Sequence, residues 1–190
     1  MIRARGLAKR YGDRRIFAGL DVDVPDGGFL LVTGPNGSGK TTLLRVLAGL
    51  AAPTAGELEL PPRQRVGYLG HDPVVYRELT PLENLALFAR LYRLPERGER
   101  VGMLLERFGL WDVRHERVST FSRGMQQRLG LCRVLLPEPS HLLLDEPYNA
   151  LDAQGAALLD DVFVEERTRV VATHDPARVE RLATDRLAFA

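Results

Sequence analysis

The stretch Gly34-Pro35-Asn36-Gly37-Ser38-Gly39-Lys40-Thr41-Thr42 fits the spacing G-x-x-x-x-G-K-[ST], which a chain of this composition matches by chance on the order of once in a thousand. Its residue types suit the binding of phosphate. Glycines let successive backbone N–H groups turn inward around phosphate oxygens, and a helix starting there adds the positive end of its dipole. Lys40 brings a compact charge to the β and γ phosphates of a nucleotide, and Thr41 offers a hydroxyl to Mg²⁺. Of 26 basic residues all but Lys9 and Lys40 are arginine, so a lysine at this position points to a need for its shape.

Three further places carry chemistry. "HLLLDEP" (141–147) is an apolar run ending in two acids and a proline. There Asp145 is placed to reach Mg²⁺ and Glu146 to polarise an attacking water. "VVATHD" (170–175) is another apolar run, ending at His174. Parallel strands set their carboxyl ends along one edge of a sheet, where open α/β folds bind ligands. In "STFSRGMQQRLGLCRVLL" (119–136), Ser122 and Gly124 open a helix with a hydroxyl and a glycine, which serves either as an ordinary N-cap or as a second phosphate-binding end. His71-Asp72, in "VGYLGHDPVVYRELTPLENL", has three readings: an acid–base pair, half of a metal site, or a polar loop.

These residues need elements to hold them. "GFLLVTG" (28–34) has the unbroken apolar character of a buried parallel strand, and residues 38–50 follow with helical spacing at Leu43, Leu44, Leu47 and Leu50. "DVDV" (21–24) and "ELEL" (57–60) alternate polar and apolar, as half-exposed antiparallel strands do. Thr80-Pro81-x-Glu83 is a capping box with proline at the first helical position, and residues 72 to about 136 read as mostly helical. From 142 the α/β pattern returns, with a helix over 153–166, a strand over 169–174, a short helix near 176–182 and a final strand near 186–189. The expected fold class is α/β: a P-loop NTPase core with an antiparallel β part and an inserted helical subdomain. One domain is expected over 1–190, its core lobe 1–71 and 137–190, its helical lobe 72–136.

Composition narrows the classes. A chain of 190 residues, 45% hydrophobic and 27% charged, has ordinary globular character, and its net charge of +1 comes from scattered charges rather than a basic stripe, so no nucleic-acid partner is expected. A single cysteine, Cys132, allows neither an internal disulfide nor a cysteine-rich zinc site. No run has the length of a membrane span and no leader pattern opens the chain, so a cytosolic location is expected.

Taken in order, "GPNGSGKTT", "FSRGMQQR", "LLLDEP", "NALD" (149–152) and "VVATH" resemble the nucleotide-binding subunit of ABC transporters over nearly the whole chain. The resemblance implies a Walker A loop at Gly34 to Thr42, a signature at Ser122 to Met125, Walker B at Asp145, a catalytic glutamate at Glu146, a D-loop at Asn149 to Asp152 and a switch histidine at His174. It makes Glu146, His174 and Lys40 catalytic, and it makes Tyr11, in "KRYGDRRIF", the aromatic that stacks on adenine. Thr41, Asp145 and His71 become the metal-binding residues, and Ser122, Gly124 and His71 join the loop in holding nucleotide. Two departures stand out: Arg123 and Met125 replace a glycine and a glutamine of the usual signature, and His71 replaces the glutamine of the Q-loop.

The resemblance also implies ATP and Mg²⁺, a homodimer closed head to tail across two ATP molecules, membrane-spanning transporter subunits as partners, a peripheral place on the cytoplasmic face of the cell membrane and no direct contact with the transported substrate. "YLGHDPVVYRELTPLENL" and "DEPYNALDAQGAALL" resemble in particular the ATPase of the haem exporter used in cytochrome c maturation. Other small-molecule, lipid or drug exporters and soluble cassettes such as iron–sulfur assembly factors remain as alternatives. A P-loop kinase is disfavoured by the signature and the Asp145-Glu146 pair.

Overall fold

The computed structural model describes residues 1–95 and 97–189. The chain divides into two compact units, one of Met1–Tyr68, Ser140–Glu146 and the residues from Glu166 onward, the other of Leu69–Pro139 and Pro147–Glu165.

The first unit carries two sheets. Strands β1 (Ile2–Tyr11), β2 (Arg14–Val24) and β4 (Ala55–Glu59) form an antiparallel sheet in the order β2-β1-β4. The second sheet has the order β5-β6-β7-β3-β8, from β3 (Phe29–Thr33), β5 (Val66–Leu69), β6 (His141–Asp145), β7 (Thr168–Thr173) and β8 (Asp185–Ala188). Strand β3 pairs in parallel with β7 and β8, and β6 with β7. Strand β6 is buried along its length and β3 at all but its last residue, Thr33, as parallel strands are when apolar on both faces. Helix α1 (Lys40–Leu47) runs from the end of β3 and buries Leu43, Leu44, Val46 and Leu47. These pack into one core with Ile2, Val24, Val32, Leu143 and Val170.

The second unit holds α2 (Pro81–Leu91), α3 (Arg97–Arg107), α4 (Arg123–Leu135) and α5 (Ala153–Val164). Leu85, Phe88, Val101, Leu105, Leu129 and Cys132 are buried in it. The capping box is formed: the Glu83 amide donates to Thr80 Oγ1 at 3.2 Å, and the Thr80 amide to Glu83 at 2.8 Å. Buried Asn84 accepts from the Tyr76 amide at 2.8 Å and donates to the carbonyls of Tyr76 and Thr80, which fixes the loop ahead of α2.

The expected α/β core, antiparallel part and helical region are all present. The short helix expected near 176–182 is not. Glu180 donates to the Pro176 carbonyl four residues back, but Val179 and Leu182 reach only three residues back, so the segment closes as turns. Among the described residues no helix is long and apolar enough to cross a membrane.

Candidate functional site

In the first unit the carboxyl ends of β3, β6 and β7 meet the start of α1. The loop between β3 and α1 carries Gly34, Pro35, Asn36, Gly37, Ser38 and Gly39. Gly34, Gly37 and Gly39 all have positive φ, at 143°, 81° and 114°. Gly39 caps the helix, and a Cβ there would lie 2.8 Å from Ile16 Cγ2 as well as in a conformation that side chains resist. The turn therefore depends on glycine.

Lys40 is 5% exposed. Its Nζ donates to the carbonyls of Gly34 at 2.7 Å and Pro35 at 3.0 Å and lies 3.8 Å from Glu146 Oε1. Thr41 Oγ1 donates to Asp145 Oδ2 at 2.6 Å. Thr42 follows in the first turn of the helix. Ser38 Oγ is buried and has no hydrogen-bond partner among the described residues. A buried hydroxyl left unsatisfied in a glycine-rich loop at the start of a helix fits an anion that would accept from it.

Glu146 directly follows β6 with φ at 49°, and its amide still donates to the Ala172 carbonyl at 2.8 Å. Its carboxylate receives the His174 amide at 2.9 Å on Oε1, and on Oε2 both the Thr173 hydroxyl at 3.0 Å and His174 Nδ1 at 2.9 Å. An ionised carboxylate only accepts, so Nδ1 carries the proton in this pair. Burial, then the charge of Asp145, pushes the nearby Tyr68 phenol up to about 12. Thr173 is the residue that sequence reasoning passed over. It sits in the run that ends at His174, and its one available signal was a hydroxyl at a strand end.

Tyr11 closes β1, half exposed, with Lys9 Nζ 4.7 Å from its ring centre. Lys9 itself donates to the Ala52 carbonyl at 2.7 Å.

The second unit holds His71, Ser122 and Gly124. Ser122 caps α4 by accepting from the Met125 amide at 3.2 Å. At Gly124 a Cβ would lie 2.6 Å from the carbonyl oxygen of Ala150, a residue with φ at 65°, so glycine is what lets the start of α4 meet that loop. His71 is exposed and lines a cleft with Asp72, Arg123, Gln126 and Asn149.

A strand, a glycine loop closing on a lysine, a threonine bonded to a strand-end aspartate and a glutamate beside it together define a P-loop nucleotide hydrolase. Comparison with known proteins gives the family. The ABC transporter family model matches residues 17–149. The daunorubicin resistance ATP-binding protein DrrA3 of Streptomyces coeruleorubidus is 43% identical over 80% of this chain, which spans about half of that protein's length, 52%. The cytochrome c biogenesis ATP-binding export protein CcmA of Pseudomonas syringae pv. tomato is 40% identical over 91% of this chain and 87% of its own. A dimeric ATP-binding cassette in a post-hydrolysis state with ADP and Pi superimposes with a TM-score of 0.86 at 26% identity, covering 100% of this chain and 94% of that one. The chain belongs to the ABC transporter family, as an ATP-binding and ATP-hydrolysing subunit.

Proposed function

We propose that this subunit powers haem export for cytochrome c biogenesis, acting as a homodimer with membrane-spanning subunits on the cytoplasmic face of the membrane. The observation that supports this choice of transporter is the likeness to CcmA proteins over most of both lengths. The drug-resistance relative supports drug export as a second reading, over a smaller share of its own chain. Neither nucleic acid nor the transported molecule is expected to touch this subunit.

The geometry supports one division of labour for hydrolysis. Glu146 orients the attacking water and accepts its proton, because its carboxylate is held in place at the strand end. Lys40, released from the carbonyls of Gly34 and Pro35, turns its charge to the β and γ phosphates. His174 supplies a second donor to the γ-phosphoryl group, and Tyr11 stacks on adenine. Thr41 and Asp145 are a pair of hard oxygen donors of the kind Mg²⁺ takes, and bound Mg²⁺ would neutralise charge on the β and γ oxygens. The roles of His71 in sensing nucleotide and of Ser122 and Gly124 in contacting the partner's ATP rest on the family resemblance.

A signature at Ser122 that reaches a partner's nucleotide, as the family resemblance implies, fits the dimer, since two-fold symmetry that sets one chain's loop against its partner's signature makes the reverse pairing too. Affinity isolation of the tagged chain from native membranes tests the transporter reading. Co-isolated membrane subunits of haem export, with loss of c-type cytochromes on deletion, are expected; partners of drug export and intact cytochromes would contradict it.

A further inference from the structure

We infer that Thr173 is a positioning residue for hydrolysis, its hydroxyl aiming the Glu146 carboxylate. The inference rests on the reading of Glu146 as the base.

Glu146 sits one residue beyond β6, with its backbone in the left-handed region that side chains other than glycine enter at a cost. The Ala172 carbonyl holds its amide, so the main chain is fixed, but the side chain keeps its rotatable bonds. Donors must fix it. Among the described residues four face the carboxylate: Lys40 from α1, the His174 ring, the His174 amide and the Thr173 hydroxyl. In the proposed reaction Lys40 and the His174 ring are shared with the triphosphate. The amide and the hydroxyl are free of that second duty.

The Thr173 hydroxyl is well placed to serve throughout. The residue is 4% exposed and ends β7 in register with Thr33, so its backbone is carried by a buried parallel strand. A hydroxyl has one proton and a freely turning O–H. Here the Asp175 amide donates to Oγ1 at 3.1 Å and takes one lone pair. Two acceptors then compete for the proton, Glu146 Oε2 at 3.0 Å and the Asp175 carbonyl at 3.2 Å. The carboxylate is nearer and charged, and a charge-assisted bond is the stronger. The hydroxyl thus points at Glu146, with its direction set by its own strand end.

Valine at 173 keeps the branched shape and removes the donor; serine keeps the donor and removes the methyl. In the whole chain, Thr173→Val is expected to lower kcat about 10- to 100-fold, the scale of a misplaced catalytic group, with ATP affinity within about twofold of wild type. Thr173→Ser is expected to restore kcat to within about threefold, and adding Thr173→Val to Glu146→Gln to lower the residual rate no further, since residues that act as a unit are not additive. Wild-type kcat in Thr173→Val, equal slowing by serine and valine, or a full additional loss in the double variant would each overturn the inference. Wild-type turnover by Glu146→Gln alone would instead overturn the reading of Glu146, and it is read separately on that single variant.

Discussion

The Thr41 hydroxyl donates to the Asp145 carboxylate across 2.6 Å, tying the first turn of α1 to the end of β6. Two residues 104 positions apart in sequence thus form one oxygen pair, and the charge of that pair lies on Asp145. Asp145→Asn keeps the shape and removes the charge. It is expected to raise the Mg²⁺ concentration for half-maximal ATP turnover at least roughly tenfold, the scale on which site substitutions weaken metal binding. Turnover measured against Mg²⁺ at fixed ATP checks this, and an unchanged midpoint would remove Asp145 from the metal site.

Gly124 gives a test in the second unit. An added Cβ would lie 2.6 Å from the Ala150 carbonyl, closer than such atoms approach, so α4 or the loop must shift. Gly124→Ala is expected to cost about 1–3 kcal/mol, the scale of overpacking. Urea unfolding measures it. An unchanged midpoint would show that the loop yields freely.

His141 gives a pH dependence. Its side chain is 5% exposed at the start of β6, with Nε2 3.1 Å from the Met1 amino group and Nδ1 3.0 Å from Ser140 Oγ. Burial, then the Met1 amino charge, holds its pKa below the ordinary histidine range, while Asp26 pulls the other way. The folded protein therefore favours the neutral ring. As pH falls through about 6.5 the unfolded chain takes up a proton that the folded one resists, so stability is lost on acidification until the lowered folded value is passed. Urea midpoints at pH 7.5 and 5.5 are expected to fall further apart in the wild type than in His141→Gln. Equal differences would show that His141 is not the titrating group.

The residues of the phosphate loop were legible because glycine, lysine and threonine at fixed spacing have few other uses. The strand ends at Asp145 and just before His174 were legible because each is an apolar run stopped by polar residues. Strand β1 was not: Ile2, Ala4 and Leu7 are all buried, but register shifts after Ala4 and after Leu7 break the period of two that marks a strand. Turns replaced helix at 176–182, where Pro176 begins the segment and its bonds stay mostly three residues long. The stretch 147–165 groups with the second unit, where Gln127 donates to the Pro147 carbonyl and Tyr148 bonds Asp160, contacts that no local pattern announces. Thr173 was missed for the same reason. Its partner Glu146 lies 27 positions away, and only the parallel pairing of β6 with β7 brings the two together.

The central claim is that this chain hydrolyses ATP with Glu146 as its base. Steady-state ATP turnover by Glu146→Gln, alongside nucleotide binding, tests it most directly. Binding within about twofold of wild type and turnover lowered by about 100-fold or more, within the range for loss of a general base, are predicted. Binding as tight as wild type with an unchanged rate of hydrolysis would contradict it.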